Sequence, residues 1–198
     1  MTKLLILLLT LGWTGSAVAC TSLPSSTAPK EPIAAVPNDT IALPDLQTDY
    51  RSPNGQYQFV VSAVDGWQTP RAVGQLYSLQ SGQTLLWEKP LPQAYGPRFA
   101  VVTPAGDVIL FDEQLNIASP YAVMVLDAAG EAIAQHSFDD IQALLAQPRA
   151  EIVEQAAIGW WIETPPAWDA QLEQVRLSAA GTSLAVTSDG HLQLETAP

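Results

Sequence analysis

Short apolar runs separated by glycine turns fill most of the chain beyond residue 50. The runs that flank such turns include 75–79 and 84–87, 99–102 and 108–111, and 121–126 and 131–134. Two apolar runs around a tight glycine turn are typical of a β-hairpin. The pattern therefore predicts a mainly β domain, built as an antiparallel hairpin meander.

Three of the turn glycines recur at a fixed interval, because Gly82, Gly106 and Gly130 are each 24 residues apart. Regular hairpin spacing is typical of propellers, sandwiches and barrels. Residues 76–87, Leu-Tyr-Ser-Leu-Gln-Ser-Gly-Gln-Thr-Leu-Leu-Trp, resemble one repeat of quinoprotein-type β-propellers, and this resemblance implies that Trp87 docks between blades. About 150 residues make only three to four blades of about 40 to 45 residues. We therefore expect a small or incomplete propeller-like fold, with a sandwich or barrel as the alternatives.

One helix is predicted within this β pattern. Ser137 and Asp140 have the spacing of a capping box, and apolar residues follow at helical intervals until Pro148. The expected helix covers about residues 138–147. Residues 150–157 fit either a second short helix or a strand.

The first nineteen residues have the parts of a secretory signal peptide. Lys3 precedes the apolar run Leu4–Leu11, and small residues follow up to Ala19. The run is shorter than the roughly 20 apolar residues that a membrane-spanning helix needs. We therefore expect residues 1–19 to be removed on export.

Cys20 is the only cysteine in the 198 residues, so it has no partner for an internal disulfide. The segment Ala17-Val18-Ala19-Cys20 resembles the lipobox of bacterial lipoproteins, although that family prefers Leu where Ala17 stands. The resemblance implies cleavage before Cys20 and lipid attachment to it. The expected location is the bacterial cell envelope, at the outer membrane in a Gram-negative host because Thr21 is not Asp. Cleavage by ordinary signal peptidase, giving a soluble periplasmic or secreted protein, is the alternative.

Residues 20–48 are rich in Pro, Ser and Thr and show little apolar periodicity. Such a segment cannot bury enough surface to offset its ordering entropy, so it predicts a tether. Residues 49–198 are then a single β-rich domain of ordinary size. Loss of Lys3 with the signal peptide leaves 7 basic and 20 acidic residues. This acidic balance argues against nucleic acid as a partner.

The sequence contains no motif for catalysis or for a bound cofactor or metal. His136 precedes Asp139 and Asp140, but acidic residues are favoured in the first turn of a helix without any ligand. Ser188, Asp189 and His191 are too close in sequence for a catalytic triad, and they fit a hairpin turn. The adjacent carboxylates Asp112 and Glu113 fit a solvated turn at a strand end. We therefore expect no catalytic residue, no metal site and no cofactor.

Aromatic residues and one arginine are the candidates for binding. If Trp160 and Trp161 lie on a strand, their side chains point to opposite faces, and one of them can join Trp168 on a surface that stacks on a glycan or a protein partner. The alternative is that both rings are buried. Tyr95 and Arg98 lie just before an apolar strand and form a second candidate site, although Arg98 is also expected to pair with one of the many carboxylates.

Taken together, these features favour a cell-envelope lipoprotein whose domain is a non-enzymatic binding or scaffolding module. Its expected partners are the membrane, through lipidated Cys20, and an envelope protein or glycan. One alternative is a carboxylate-dependent enzyme that acts on a cell-wall or saccharide substrate. Another is a subunit that completes a larger β assembly.

Overall fold

The computed structural model describes residues 43–195. The strands are β1 Gln47–Arg51, β2 Tyr57–Ala63, β3 Ala72–Ser78, β4 Thr84–Pro90, β5 Pro97–Val102, β6 Val108–Glu113, β7 Val123–Leu126, β8 Ala132–His136, β9 Thr164–Asp169, β10 Gln174–Ala179, β11 Thr182–Thr187 and β12 Leu192–Leu194. The helices are α1 Phe138–Leu145 and α2 Arg149–Gln155. The predicted mainly β fold is confirmed.

The predicted signal peptide, Cys20 and most of the predicted tether lie outside the described residues. Strand β1 begins at Gln47, just inside the stretch assigned to the tether. Within the described part of the chain, no helix has the length and apolar character needed to cross a membrane.

The strands form three antiparallel sheets, each of which takes four strands in chain order. The first sheet is β1 to β4, the central sheet is β5 to β8, and the third sheet is β9 to β12. Every neighbouring pair is antiparallel, as the hairpin pattern predicted. Among residues 43–195 the sheets do not close into a barrel.

The central sheet lies between the other two, because its two faces belong to different hydrophobic clusters. Val108 and Leu110 of β6 pack with Phe59 and Leu76 of the first sheet. Ile109, on the opposite face of β6, belongs to a cluster that includes residues of the helices and the third sheet. All six residues of β6 are therefore buried. The first strands of the sheets also meet, β1 with β5 and β5 with β9. Three four-stranded antiparallel sheets therefore pack in succession in the order of the chain.

Trp87 lies between the first and central sheets. Its ring centroid is 5.7 Å from that of Phe59, and it is buried. A Cβ atom on Gly130, in the turn between β7 and β8, would lie only 2.7 Å from the Trp87 ring. Glycine at position 130 therefore allows the turn of one sheet to close over the tryptophan of its neighbour.

The 24-residue glycine interval does not correspond to one sheet. Gly82 and Gly130 lie in the third turns of their sheets, whereas Gly106, like Gly55, lies in a first turn. Gly55 and Gly106, which occupy equivalent turns, are therefore 51 residues apart, and Gly82 and Gly130 are 48 residues apart. The repeating unit is one sheet, and its length is about twice the 24-residue glycine interval.

Helix α1 confirms the predicted capping box. The Ser137 backbone N–H donates to Asp140 Oδ2 at 2.7 Å, and the Asp140 N–H donates to Ser137 Oγ at 3.2 Å. The helix ends at Leu145, because Ala146 adopts a left-handed conformation. The ambiguous segment after Pro148 is a second helix, α2, so the prediction of one helix was incomplete. Phe138, Ile141 and Ile152 bury the two helices against the third and central sheets.

Candidate functional site

Two carboxylates end β6, and both are buried. Asp112 is 1% exposed and Glu113 is 7% exposed. Our interpretation of this pair as a solvated turn was wrong, because the β6 to β7 connection and the segment around Gly159 cover the end of the strand. Ser119, in that connection, donates from its Oγ to Glu113 Oε1, and the Asp112 N–H donates to the Ala122 carbonyl at 2.9 Å.

Asp112 has an unusual backbone conformation for a residue at the end of a strand. Its φ is 55°, in the left-handed region that Asp tolerates better than most residues other than glycine. This turn in the backbone ends the regular register with β7, whose last pair is Phe111 with Val123. It also places the Asp112 carboxylate beside β5 and the segment 156–162.

Arg98 is the basic residue that faces this carboxylate. Its Nε lies 3.8 Å from Asp112 Oδ2, and its Nη2 donates to the Gln114 carbonyl at 2.6 Å and to Asn116 Oδ1 at 2.8 Å. The expected pairing of Arg98 with a carboxylate is therefore present. One guanidinium holds the buried end of β6 and the loop that follows it, so Arg98 fixes the relative position of both.

The segment between α2 and β9 provides the third side of the site. The Trp160 N–H donates to Asp112 Oδ2 at 2.9 Å. Gly159 has a φ of 143°, and a Cβ atom there would lie 2.8 Å from Asp112 Oδ2 and 2.9 Å from Arg98 Cδ. Only glycine brings the backbone this close to the ion pair without displacing it.

Burial raises the pKa of Asp112 to about 6. The Trp160 N–H and the Arg98 charge oppose this rise, whereas the negative charge of Glu113 adds to it. Asp112 Oδ1 is buried and accepts no hydrogen bond from a described residue, which further disfavours the ionised form. Arg98 and Glu113 are the charged side chains that act on this carboxyl.

A cleft of about 680 Å³ opens on the outer side of Arg98. We call it the Arg98 cleft, and it is lined by Leu43, Pro44, Arg98, Gln114, Leu115, Asn116 and Ile117. Arg98 is the one charged residue of this lining. The volume lies within the range of about 300 to 1,000 Å³ that is common for small-molecule sites. Arg98 thus lines the cleft and also faces the buried Asp112 carboxylate.

Tyr95 lies in the connection that precedes Arg98. Its ring centroid is 5.6 Å from that of Trp67, and Trp67 Nε1 donates to the Pro44 carbonyl at 2.9 Å. Pro44 also lines the cleft. Tyr95 therefore supports the entry of the chain into the domain through Trp67, a residue that the sequence analysis did not select.

The three candidate tryptophans do not form one surface. Trp160 and Trp161 lie in a bend and not on a strand, and Trp161 is fully buried. Trp160 is half-buried, and its ring meets Phe138 edge-on at 6.4 Å. Trp168 lies on β9 and lines a small cavity with the β5 to β6 turn, at the end of the strands away from Arg98. Of these residues only Trp160 reaches the Arg98 site, and it does so through its backbone.

The two histidines have structural contacts. His136 Nε2 is 2.8 Å from the Gly190 carbonyl, while Asp140 is used by the α1 cap and Asp139 pairs with Arg149 at 3.0 Å. His191 lies with Asp189 in the β11 to β12 turn at the surface. Within residues 43–195, His, Cys, Asp and Glu side chains form no group of three that would suit a metal ion.

The burial of Asp112 decides what this site can do chemically. A carboxyl with a pKa near neutral is suited to proton transfer, but a general acid or base must reach the proton that it moves. The Asp112 side chain is 1% exposed, so a molecule in the cleft meets Arg98 and not the carboxylate.

Sequence comparison adds no family to this description. Neither protein-family models nor curated proteins match the chain.

Proposed function

We propose that this protein is a bacterial cell-envelope lipoprotein whose β-rich domain binds a partner without chemical turnover. The signal-peptide pattern and the lipobox-like segment ending at Cys20 support the anchoring. The Arg98 cleft supports the binding role, because an exposed, mostly apolar cleft surrounds one oriented guanidinium. The expected partner is an envelope component, whether protein or glycan, that reaches this cleft.

The anchor is tested by intact mass spectrometry of the membrane fraction. The native chain should begin at Cys20 and carry a diacylglycerol group, and Cys20→Ser should lose both the lipid and membrane retention. A native chain that is recovered in soluble form with a free thiol at Cys20 would contradict the anchoring.

The binding role is tested by crosslinking in living cells. A photoreactive residue in place of Ile117, an exposed residue of the cleft, should give a defined adduct. The same substitution at Leu172, which is exposed on the β9 to β10 turn, is the matched control and should not. Identical adducts from both positions, or none from Ile117, would count against the cleft as the binding surface.

A subunit role in a larger β assembly has one specific observation in its favour. Strand β4 forms an edge of the first sheet, and it exposes Leu85 and Leu86. Exposed edge strands can pair with another chain. Analytical ultracentrifugation of soluble Cys20→Ser chain, compared with Cys20→Ser carrying Leu86→Lys, distinguishes the cases. If the Cys20→Ser chain and the double variant are both monomers, self-assembly through β4 is excluded.

A further inference from the structure

The chemistry of the Arg98 cleft limits the kind of ligand it can take. Its apolar wall includes Leu43, Leu115 and Ile117, and its single charge is the Arg98 guanidinium. In a chain with 20 acidic and 8 basic residues, a cleft whose only charge is positive is complementary to an anion. A ligand that uses both features has an apolar body and one anionic group.

Arg98 is oriented toward both the protein interior and the cleft. Its Nε faces Asp112, and its Nη2 is held by Gln114 and Asn116. Its Nη1 makes no hydrogen bond to any residue from 43 to 195, and it is not among the buried unpaired atoms. One donor group of a pre-positioned guanidinium is thus left for an external acceptor, and charge-assisted bonds of this type are among the stronger ones.

We propose, building on the binding role above, that the Arg98 cleft binds a small amphiphilic anion, and that the ligand replaces Asp112 as the counter-ion of Arg98, so that Asp112 takes up a proton from solvent on binding. Ligand and carboxylate compete for one positive charge. Because Asp112 is buried and Glu113 adds a second negative charge beside it, the carboxyl is the group that becomes neutral when an anion arrives.

The direction of the pH effect follows from this competition. Protonation of Asp112 removes the internal competitor for Arg98, so affinity for an anion should rise as pH falls. With the pKa of Asp112 at about 6, affinity should level off below that pH. Above pH 6 the affinity for the anion should fall, and at pH 7.5 it should be on the order of tenfold weaker than at pH 6.

Octanesulfonate is a suitable probe, because it stays charged throughout this pH range. Calorimetric titration of the Cys20→Ser chain with octanesulfonate, below the micelle-forming concentration, should show binding to one site. Octanol, which lacks the charge, should bind more weakly. Repeating the titration at pH 6.5 in two buffers of different ionisation heat should reveal uptake of roughly three quarters of a proton. Binding without proton uptake would overturn the competition with Asp112.

Two variants locate the effect. Asp112→Asn carries no titrating proton, so it should bind octanesulfonate with pH-independent affinity and no proton uptake. Ile117→Asp puts a negative charge on the exposed rim of the cleft and should weaken binding at least severalfold, whereas Leu172→Asp should not change it. Proton uptake that persists in Asp112→Asn, or equal binding by Ile117→Asp, would overturn the proposal.

The failure of this inference is distinguishable from the failure of the proposed function. If octanesulfonate does not bind while Ile117 still gives a defined cellular adduct, the cleft binds a partner but not a small amphiphilic anion. If octanesulfonate binds with proton uptake but Ile117 gives no adduct, the site is correct and the partner role in the cell is wrong.

Discussion

Two arginine–carboxylate clusters in this protein differ mainly in their exposure. Arg98 meets Asp112 at the end of β6, where the carboxylate is 1% exposed. Arg176 lies on the outer side of β10, where its Nη2 is 2.6 Å from Glu195 Oε2 and its Nη1 is 3.5 Å from Asp169 Oδ2. The exposed cluster has the shorter contact, but only in the buried cluster is the carboxylate almost entirely removed from solvent. The contact distance alone therefore does not indicate which cluster contributes more to stability.

The pKa values of Asp112 and Asp169 shift in opposite directions. Burial raises the pKa of Asp112 to about 6, although Arg98 is near. The backbone N–H groups of Gln171 and Leu172 lower the pKa of Asp169, with a smaller contribution from Arg176. Loss of solvent outweighs the ion pair at Asp112, whereas hydrogen bonds dominate at the surface.

Arg98→Met should have the largest effect on stability. It leaves the Asp112 carboxylate buried without a cation and releases the bonds to Gln114 and Asn116. Asp112 limits the loss by taking up a proton, which costs about 1.4 kcal/mol at pH 7 for a group whose pKa is about 6; with the lost hydrogen bonds we expect the unfolding free energy to fall by about 3.5 kcal/mol. Urea unfolding at pH 7 measures the loss, and Arg176→Met is the matched control, for which we expect little change. Similar losses in both variants would show that burial does not separate the clusters.

Asp112→Asn should change how stability depends on pH. Because the folded-state pKa of Asp112 is raised from 3.8 to about 6, the native protein binds a proton there that the unfolded chain has already released. The contribution of Asp112 to stability is therefore favourable at low pH and declines as pH rises from about 4 to about 6. The decline is about 3 kcal/mol for a shift of this size.

The measurement is urea unfolding of native protein and Asp112→Asn at pH 4.5 and pH 7. The free-energy difference between the two proteins should move in favour of the variant as pH rises. Asn suits this position because it accepts the Trp160 N–H and tolerates a positive φ. A difference that is the same at both pH values would show that Asp112 has an ordinary pKa in the folded protein.

Much of the fold is predictable from local sequence patterns. The hairpins follow from apolar runs around glycine turns, and the start of α1 follows from Ser137 and Asp140, because both depend on residues close in the chain. Strand β1 was missed because it follows a proline-rich stretch and has the exposed, polar pattern of Gln47–Arg51. The size of the repeating unit was not predicted, because glycine occurs in both the first and the third turns of the sheets and the two kinds of turn look alike in sequence.

The Arg98 site was only partly predictable. The sequence singled out Arg98 as a candidate binding residue that pairs with a carboxylate, and Asp112 with Glu113 as a carboxylate pair, but it gave no sign that Arg98 and Asp112 would be buried together. Arg98 lies opposite Asp112 in the β5–β6 hairpin, between the pairs Pro97–Glu113 and Phe99–Phe111. Their burial depends on Gly159, which is 47 residues from Asp112 in the chain and touches it through tertiary packing. Burial of a polar residue depends on what covers it, and here the cover comes from distant segments.

Gly159→Ala disturbs the buried cluster of Arg98 and Asp112 without removing a charge. The added Cβ would overlap Asp112 Oδ2 and Arg98 Cδ, at 2.8 Å and 2.9 Å. We expect a loss of about 2 kcal/mol in unfolding free energy. Gly55→Ala is the control, because Gly55 also has a positive φ but nothing lies within 4 Å of its Cβ position. That variant should lose about 1 kcal/mol, from backbone strain alone. Equal losses would mean that the close approach of Gly159 carries no packing cost.

The smallest effect should come from Arg176→Gln. Glu195 and Asp169 remain in contact with water when the arginine is removed, so neither carboxylate is left as an uncompensated buried charge. Asp169 also keeps the N–H donors of Gln171 and Leu172. We expect a small shift of the urea midpoint at low salt, and none at 0.5 M NaCl because exposed charges are screened. A large, salt-independent shift would mean that the Arg176 cluster orders the end of β12, and its exposure would then be a poor guide to its contribution.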